Sequence, residues 1–163
     1  MKTLLVGINA KYIHTNLAIR NIAAYLKDED ISIYEATIND NLDGILEDIM
    51  SYEADVVGFS CYLWNIEDVL YISENIKKIK PKTVIVLGGP EVSYESEDLL
   101  KEMPYIDYVI LGEGEERFGR LLRVLRGNEA IESVDGIVYR KNRNIMVNPP
   151  KGYVDLNRIP FSY

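Results

Sequence analysis

The chain has 163 residues, a length that fits one domain with a full core. Its 26 acidic residues outnumber the 18 basic ones for a net charge of −8, which opposes non-specific binding to nucleic acid phosphates, and its single cysteine, Cys61, excludes an internal disulfide framework and any Cys-only metal or iron–sulfur site built by this chain alone. No stretch approaches the roughly 18 consecutive apolar residues of a membrane span, and Met1-Lys2-Thr3 runs straight into a strand without a cleavage site, so the reading is a soluble, cytoplasmic chain with no membrane contact.

Strand and helix patterns alternate along the chain. Lys2–Ile8 reads as a buried strand, Asn16–Lys27 as an amphipathic helix, Ile31–Ala36 as a strand, and Leu42–Ser51 as a helix with Asn41 or Asn39 as its cap. Asp55–Ser60 is the third strand, and Asn65 is expected to cap a long helix that Pro81 stops. Thr83–Leu87 is apolar enough for a strand buried on both faces, followed by a short helix from Ser93 or Tyr94 to Glu102. Asp107–Leu111 is a fifth strand, and a helix to about Arg126 ends at Gly127. Five strands joined through helices predict an α/β fold, a doubly wound parallel sheet of flavodoxin-like (Rossmann-type) order 2-1-3-4-5. Residues 128–148 hold a small appended β-hairpin, Gly136–Arg140 with Asn144–Val147, and the proline-punctuated residues 149–163 read as a linker towards something longer. On the last helix, Arg117, Arg120, Arg123 and Arg126 are expected to form a solvated face.

In such a sheet the ligand crevice lies at the carboxyl ends of the strands. The loops there offer Asn9–Thr15, Ser60–Asn65, Gly88–Ser93 and Gly112–Glu115, with few side chains suited to acid–base work. The Gly88-Gly89 pair reads as a tight turn needing positive φ or as backbone open to a ligand. His14, the only histidine, lacks a cluster of partners, so capping or packing is preferred over metal binding or catalysis, and Cys61 has no basic neighbour to make it a nucleophile. Tyr62 and Trp64 either line a flat apolar ligand or are core aromatics. A phosphoacceptor receiver domain needs a carboxylate where this chain has Ser60, and neither G-x-G-x-x-G after the first strand nor a P-loop is present.

With these loops placed, the sequence resembles the cobalamin-binding domain, whose pattern is D-x-H-x-x-G after strand one, S-x-L after strand three and G-G after strand four. Ser60-Cys61-Tyr62 takes the second slot and Gly88-Gly89 the third, with 25 residues between them (63 to 87). The first slot departs at all three fixed positions: Asn9, Lys11 and His14 replace Asp, His and Gly, so Lys11 stands where the cobalt-ligating histidine would be. That departure resembles the N-terminal domains of cobalamin-dependent radical S-adenosylmethionine enzymes, which also carry G-G-P-E and G-E-G-E, matched here by Gly88-Gly89-Pro90-Glu91 and Gly112-Glu113-Gly114-Glu115. Asp155–Phe161 is similar to the linker before their radical domain.

The resemblance implies cobalamin over the carboxyl edge, its nucleotide tail in a slot beside Gly88-Gly89 and hydrogen-bonded by Ser60, with the Gly112 and Gly114 backbone against the ribose or base. The implied cofactor-binding set is Asn9, Lys11, His14, Ser60, Cys61, Tyr62, Gly88, Gly89, Pro90, Glu91, Gly112, Glu113, Gly114 and Glu115, with no catalytic residue and no metal ligand. It further implies a radical domain on the same polypeptide that uses a [4Fe–4S] cluster and S-adenosylmethionine, and methyl transfer to an unreactive carbon by the whole protein, this fragment alone being non-catalytic. Two other readings are a degenerate domain of this type, its corrin site filled by Tyr62 and Trp64, that serves as a substrate-binding or docking module, and a free-standing flavodoxin-like enzyme.

Overall fold

The computed structural model describes residues 1–12 and 14–152. Five strands, β1 (Thr3–Asn9), β2 (Ile31–Thr37), β3 (Val56–Ser60), β4 (Val84–Gly88) and β5 (Tyr108–Ile110), run parallel in the order β2-β1-β3-β4-β5, as the alternation predicts. The hairpin does more than append itself. Strand β6 (Ile137–Lys141) pairs antiparallel with β5 and β7 (Asn144–Asn148) with β6, so one sheet of seven strands results instead of five. The reason lies in β5, which has only three residues and whose outer polar groups would otherwise be unpaired; β6 meets it at Tyr108–Tyr139, Val109–Val138 and Ile110–Ile137. Asp155–Phe161, the linker-like stretch, lies outside the described residues.

Five helices cover the sheet: α1 (Leu17–Tyr25), α2 (Leu42–Ser51), α3 (Ile66–Ile79), α4 (Ser96–Glu102) and α5 (Glu115–Leu125). Local capping sets several boundaries. The side chains of Asn16 and Asn41 accept from the N–H groups of Ile19 and Gly44, and Gly127, at φ +78°, lets its N–H reach the Val124 carbonyl. Asn65 precedes α3 as expected but makes no cap bond to it.

Strand alternation divides the core in two. Leu4, Val6, Ile8, Val57, Phe59, Cys61, Ile85 and Leu87 form one cluster with Ile45 of α2, Ile72 of α3 and Leu100 of α4. Leu5, Val56, Val86 and Ile110 form the other with Ile19 of α1 and Phe118, Leu121 and Leu122 of α5. On that second side α1 and α5 approach closely, because a Cβ on Gly119 would lie 2.6 Å from Leu26 and one on Gly114 3.0 Å from Ile22. Among the described residues no helix is long and apolar enough to cross a membrane.

Candidate functional site

The registers place small residues side by side at the carboxyl edge. Gly7, Ser60, Gly88 and Ile110 form one row across β1, β3, β4 and β5, and Leu5, Gly58, Val86 and Tyr108 form the row two residues deeper. Residues two apart on a strand share a face, so Gly58 and Ser60 open towards α1 and α5 while Phe59 and Cys61 face the other way. The missing side chains leave a trough. It is a cavity of about 420 Å³, inside the roughly 300–1,000 Å³ usual for small-molecule sites, and its walls come from the strand ends, α1, the turn after β4 and the start of α5.

Each glycine has a different reason. The ring of Phe118 lies against Gly58, where a Cβ would sit 2.9 Å from Cε2, so this mid-strand glycine makes room for the aromatic floor. At Gly7 the space is taken by Asn16, 2.9 Å away. A Cβ on Gly88 would meet only the Ile110 carbonyl at 3.9 Å and would otherwise stand in the open trough. Gly89 is the opposite case. Its φ is +111° and a Cβ there would lie 2.4 Å from the Cys61 carbonyl oxygen, so the chain's own backbone demands this glycine. The Cys61 N–H donates to the Gly88 carbonyl at 2.7 Å and the Glu91 N–H to the Cys61 carbonyl at 3.4 Å, which locks the turn that carries Pro90.

One polar atom in the trough is unanswered. Ser60, 6% exposed, has its Oγ buried without a hydrogen-bond partner among the described residues. A buried hydroxyl left unpaired costs about 1–3 kcal/mol; Thr3, Ser73 and Thr83 hold unpartnered hydroxyls elsewhere, and what sets Ser60 apart is its place on the cavity wall beside the open space at Gly88.

Of the residues implied by the sequence, Ser60, Tyr62, Gly88, Gly89, Pro90, Gly112, Glu113, Gly114 and Glu115 line this cavity. Cys61 does not. Alternation turns it into the other core, where its thiol donates to the Phe59 carbonyl and burial pushes its pKa up to about 12. Asn9 is directed elsewhere, its Nδ2 donating to Glu35 at 3.2 Å, while Lys11, His14 and Glu91 are exposed and outside the cavity lining. Gly114 borders the cavity, but its missing Cβ also answers to Ile22 of α1, so ligand approach is not its only reason. Tyr62 and Trp64 stack with ring centroids 4.4 Å apart and planes within 4°. Trp64 is half-exposed, anchors its Nε1 on the Ile8 carbonyl at 3.3 Å and does not line the cavity, so the pair does not fill it. Asn65 braces the same edge: Nδ2 donates to the Ile8 and Ser60 carbonyls and Oδ1 accepts from the Tyr62 N–H, which ties the ends of β1 and β3 together.

Sequence reasoning missed the floor, Gly58 and Phe118, and the support behind the Gly112 loop. Of the expected solvated arginine face, Arg123 and Arg126 are exposed, Arg120 is half-buried, and Arg117 departs from it. Arg117 is 5% exposed; its Nη1 donates to the Leu111 and Glu113 carbonyls at 3.2 and 3.0 Å and its other nitrogens grip Asp135. A Cβ on Gly136 would lie 2.3 Å from Arg117 Nε, so that glycine admits the guanidinium. Desolvation opposes ionisation of Asp135, but the Lys151 N–H and Arg117 hold its carboxyl below the usual range. Arg120 and Arg123 share Glu129, and Arg126 pairs with Glu29. The arginines thus find acids brought near by the fold, which periodicity along one helix cannot foresee. Among the described residues no three His, Cys, Asp or Glu side chains gather to hold a metal ion.

A family profile described as "B12 binding domain" matches residues 3–122. Among curated proteins, the chain is 26% identical over 147 residues to the uncharacterized methyltransferase PH0819 of Pyrococcus horikoshii, covering 88% of this chain and 32% of that protein. It is 30% identical over 131 residues to the cobalamin-dependent radical SAM methyltransferase TokK of Streptomyces tokunonensis, covering 80% of this chain and 18% of that protein. The chain therefore spans about a third or less of the length of these relatives. Among solved structures, the cobalamin-dependent S-adenosylmethionine radical enzyme OxsB with aqua-cobalamin and S-adenosylmethionine bound superposes with a TM-score of 0.81 at 17% identity, covering 98% of this chain and 23% of that one. At that identity the likeness is one of fold.

Proposed function

The chain belongs to the B12 binding domain family, and from that premise we propose that its trough receives the nucleotide tail of a cobalamin, held at the carboxyl edge of the sheet. The observation that carries this reading is the pairing of an empty space above Gly88 with the orphaned hydroxyl of Ser60, next to each other in the register. In this reading Ser60 Oγ donates to the ring nitrogen of the tail's base, Phe118 and Gly58 form the floor beneath it, and Arg117 holds the Gly112–Glu115 loop at the cavity wall. The set Ser60, Tyr62, Gly88, Gly89, Pro90, Gly112, Glu113, Gly114 and Glu115 is the part of the implied binding set that borders the trough, and Gly89 and Pro90 also shape the turn after β4.

When bound, methylcobalamin supplies a methyl group for transfer to an unreactive carbon. The relatives' greater length and names support a whole protein in which a radical S-adenosylmethionine domain with a [4Fe–4S] cluster, on the same polypeptide, uses the cofactor held here. This chain's own contribution is binding and positioning: its loops orient the tail, and its apolar floor keeps water from it. The experiment is direct. The chain is mixed with hydroxocobalamin, passed through gel filtration, and its visible spectrum recorded; retained colour supports the reading, and a colourless protein peak overturns it.

A further inference from the structure

The polar groups of the trough are unevenly distributed. Ser93, Glu113 and Glu115 belong to the turn after β4 and the approach to α5, Asn21 to α1 and Tyr62 to the loop after β3, whereas Leu5, Gly58 and Val86, the members of the deeper row that line the trough, and Phe118, which closes it, carry no polar side chain. Ser93 Oγ is already committed, donating to the Gly89 carbonyl at 2.8 Å. At the boundary between the two zones stands the unpartnered Ser60 hydroxyl. The inner trough therefore matches a flat two-ring base with one exposed acceptor nitrogen and an otherwise hydrocarbon edge. It matches less well a base with several ring nitrogens, because the side chains of Leu5, Val86, Ile110 and Phe118 offer those nitrogens no donor and Ser60 can answer only one, although the Ile110 carbonyl beside Gly88 could accept from an exocyclic amine.

Resting on the cobalamin reading above, we propose that this site selects among cobamides by their lower base, taking benzimidazole-type cobamides and discriminating against adenine-type ones. Ser60 supplies the single hydrogen bond that the favoured base can use, and the Phe118 floor supplies the penalty for the other. Such a penalty corresponds to about tenfold to a hundredfold in affinity, the range in which an apolar pocket rejects a misplaced polar group.

The chain is titrated, by absorbance and by calorimetry, with hydroxocobalamin, with the adenine-containing cobamide and with aquo-cobinamide, which has no base. The expected order is cobalamin tightest and the adenine cobamide about ten- to a hundredfold weaker. Cobinamide is also expected to bind more weakly than cobalamin. Ser60→Ala is expected to weaken cobalamin about three- to tenfold and to leave cobinamide unchanged, while thermal unfolding shows the variant folded. Equal affinity for the two complete cobamides overturns the selection while the cobalamin reading stands; cobinamide binding as tightly as cobalamin overturns both the selection and the placement of the tail in the trough. Retention of none of the three overturns that reading and this proposal with it.

Discussion

Placing a side chain on Gly88 separates the fold's needs from the guest's. A Cβ at this position has one neighbour, the Ile110 carbonyl at 3.9 Å, and Val suits a strand, so Gly88→Val should leave the free chain folded, with Tm within about 3 °C of the parent. Its methyl groups then occupy the trough beside Ser60. A rigid ring forced against them loses at least the 1–3 kcal/mol typical of overpacking, which at about 1.4 kcal/mol per decade is roughly fivefold to 140-fold in Kd. Gly89→Ala is the control of opposite character. The Cβ would stand 2.4 Å from the Cys61 carbonyl oxygen at φ +111°, a strain on the order of 3 kcal/mol and a fall of about 6–12 °C in Tm. Hydroxocobalamin titration of both variants, with circular dichroism melts in parallel, checks the pair. A folded Gly88→Val that binds cobalamin within twofold of the parent would refute the placement of the tail.

Four further outcomes follow from the same geometry. Arg117→Met leaves Asp135 only Arg120 and the Lys151 N–H and frees the Leu111 and Glu113 carbonyls, so it should cost about 2–4 kcal/mol in urea unfolding and weaken cobalamin binding; a cost below about 1 kcal/mol would mean the strut holds nothing. Glu129 has a pKa lowered from 4.5 to about 2, against opposing desolvation, by hydrogen bonds from Arg120, Ser133 and Arg123. Its contribution to stability is therefore complete above pH 4.5 and lost as the pH falls towards 2, and Glu129→Gln should flatten that part of the stability–pH curve. Native chain should resist iodoacetamide at pH 8, because the Cys61 thiol is fully buried with a pKa of about 12, and should react on unfolding, which mass spectrometry detects. His14→Ala should leave the bound cobalamin spectrum unchanged, since His14 is exposed and outside the cavity; a shifted absorption band would make it a ligand.

The fold was legible because its signals are local. Val84–Leu87 is apolar at every position, Asn16 and Asn41 precede their helices by one residue, and Pro81 stands two residues past the end of α3. The site was legible only in part. Glycine pairs mark the carboxyl edge, but which of two adjacent glycines faces a guest depends on the register of β3 against β4, and no local pattern carries that. The floor shows the same limit: Gly58 inside Val56–Ser60 is a recognisable sign of close approach, yet its partner Phe118 comes from a helix on another part of the chain. For Cys61 the information was available, since alternation from Ser60 already turns its side chain away. Arg117 was misread because three-residue spacing says nothing about Asp135, which reaches it from the loop before β6.

Positions 88 and 89 answer to different constraints although they are neighbours. In a lineage that abandoned its guest, the first would drift to bulkier residues while the second stayed fixed by main-chain geometry. A Gly-Gly turned into X-Gly at this point would thus be a record of a vacated berth, and the reverse change, Gly-X, a record of a remodelled turn.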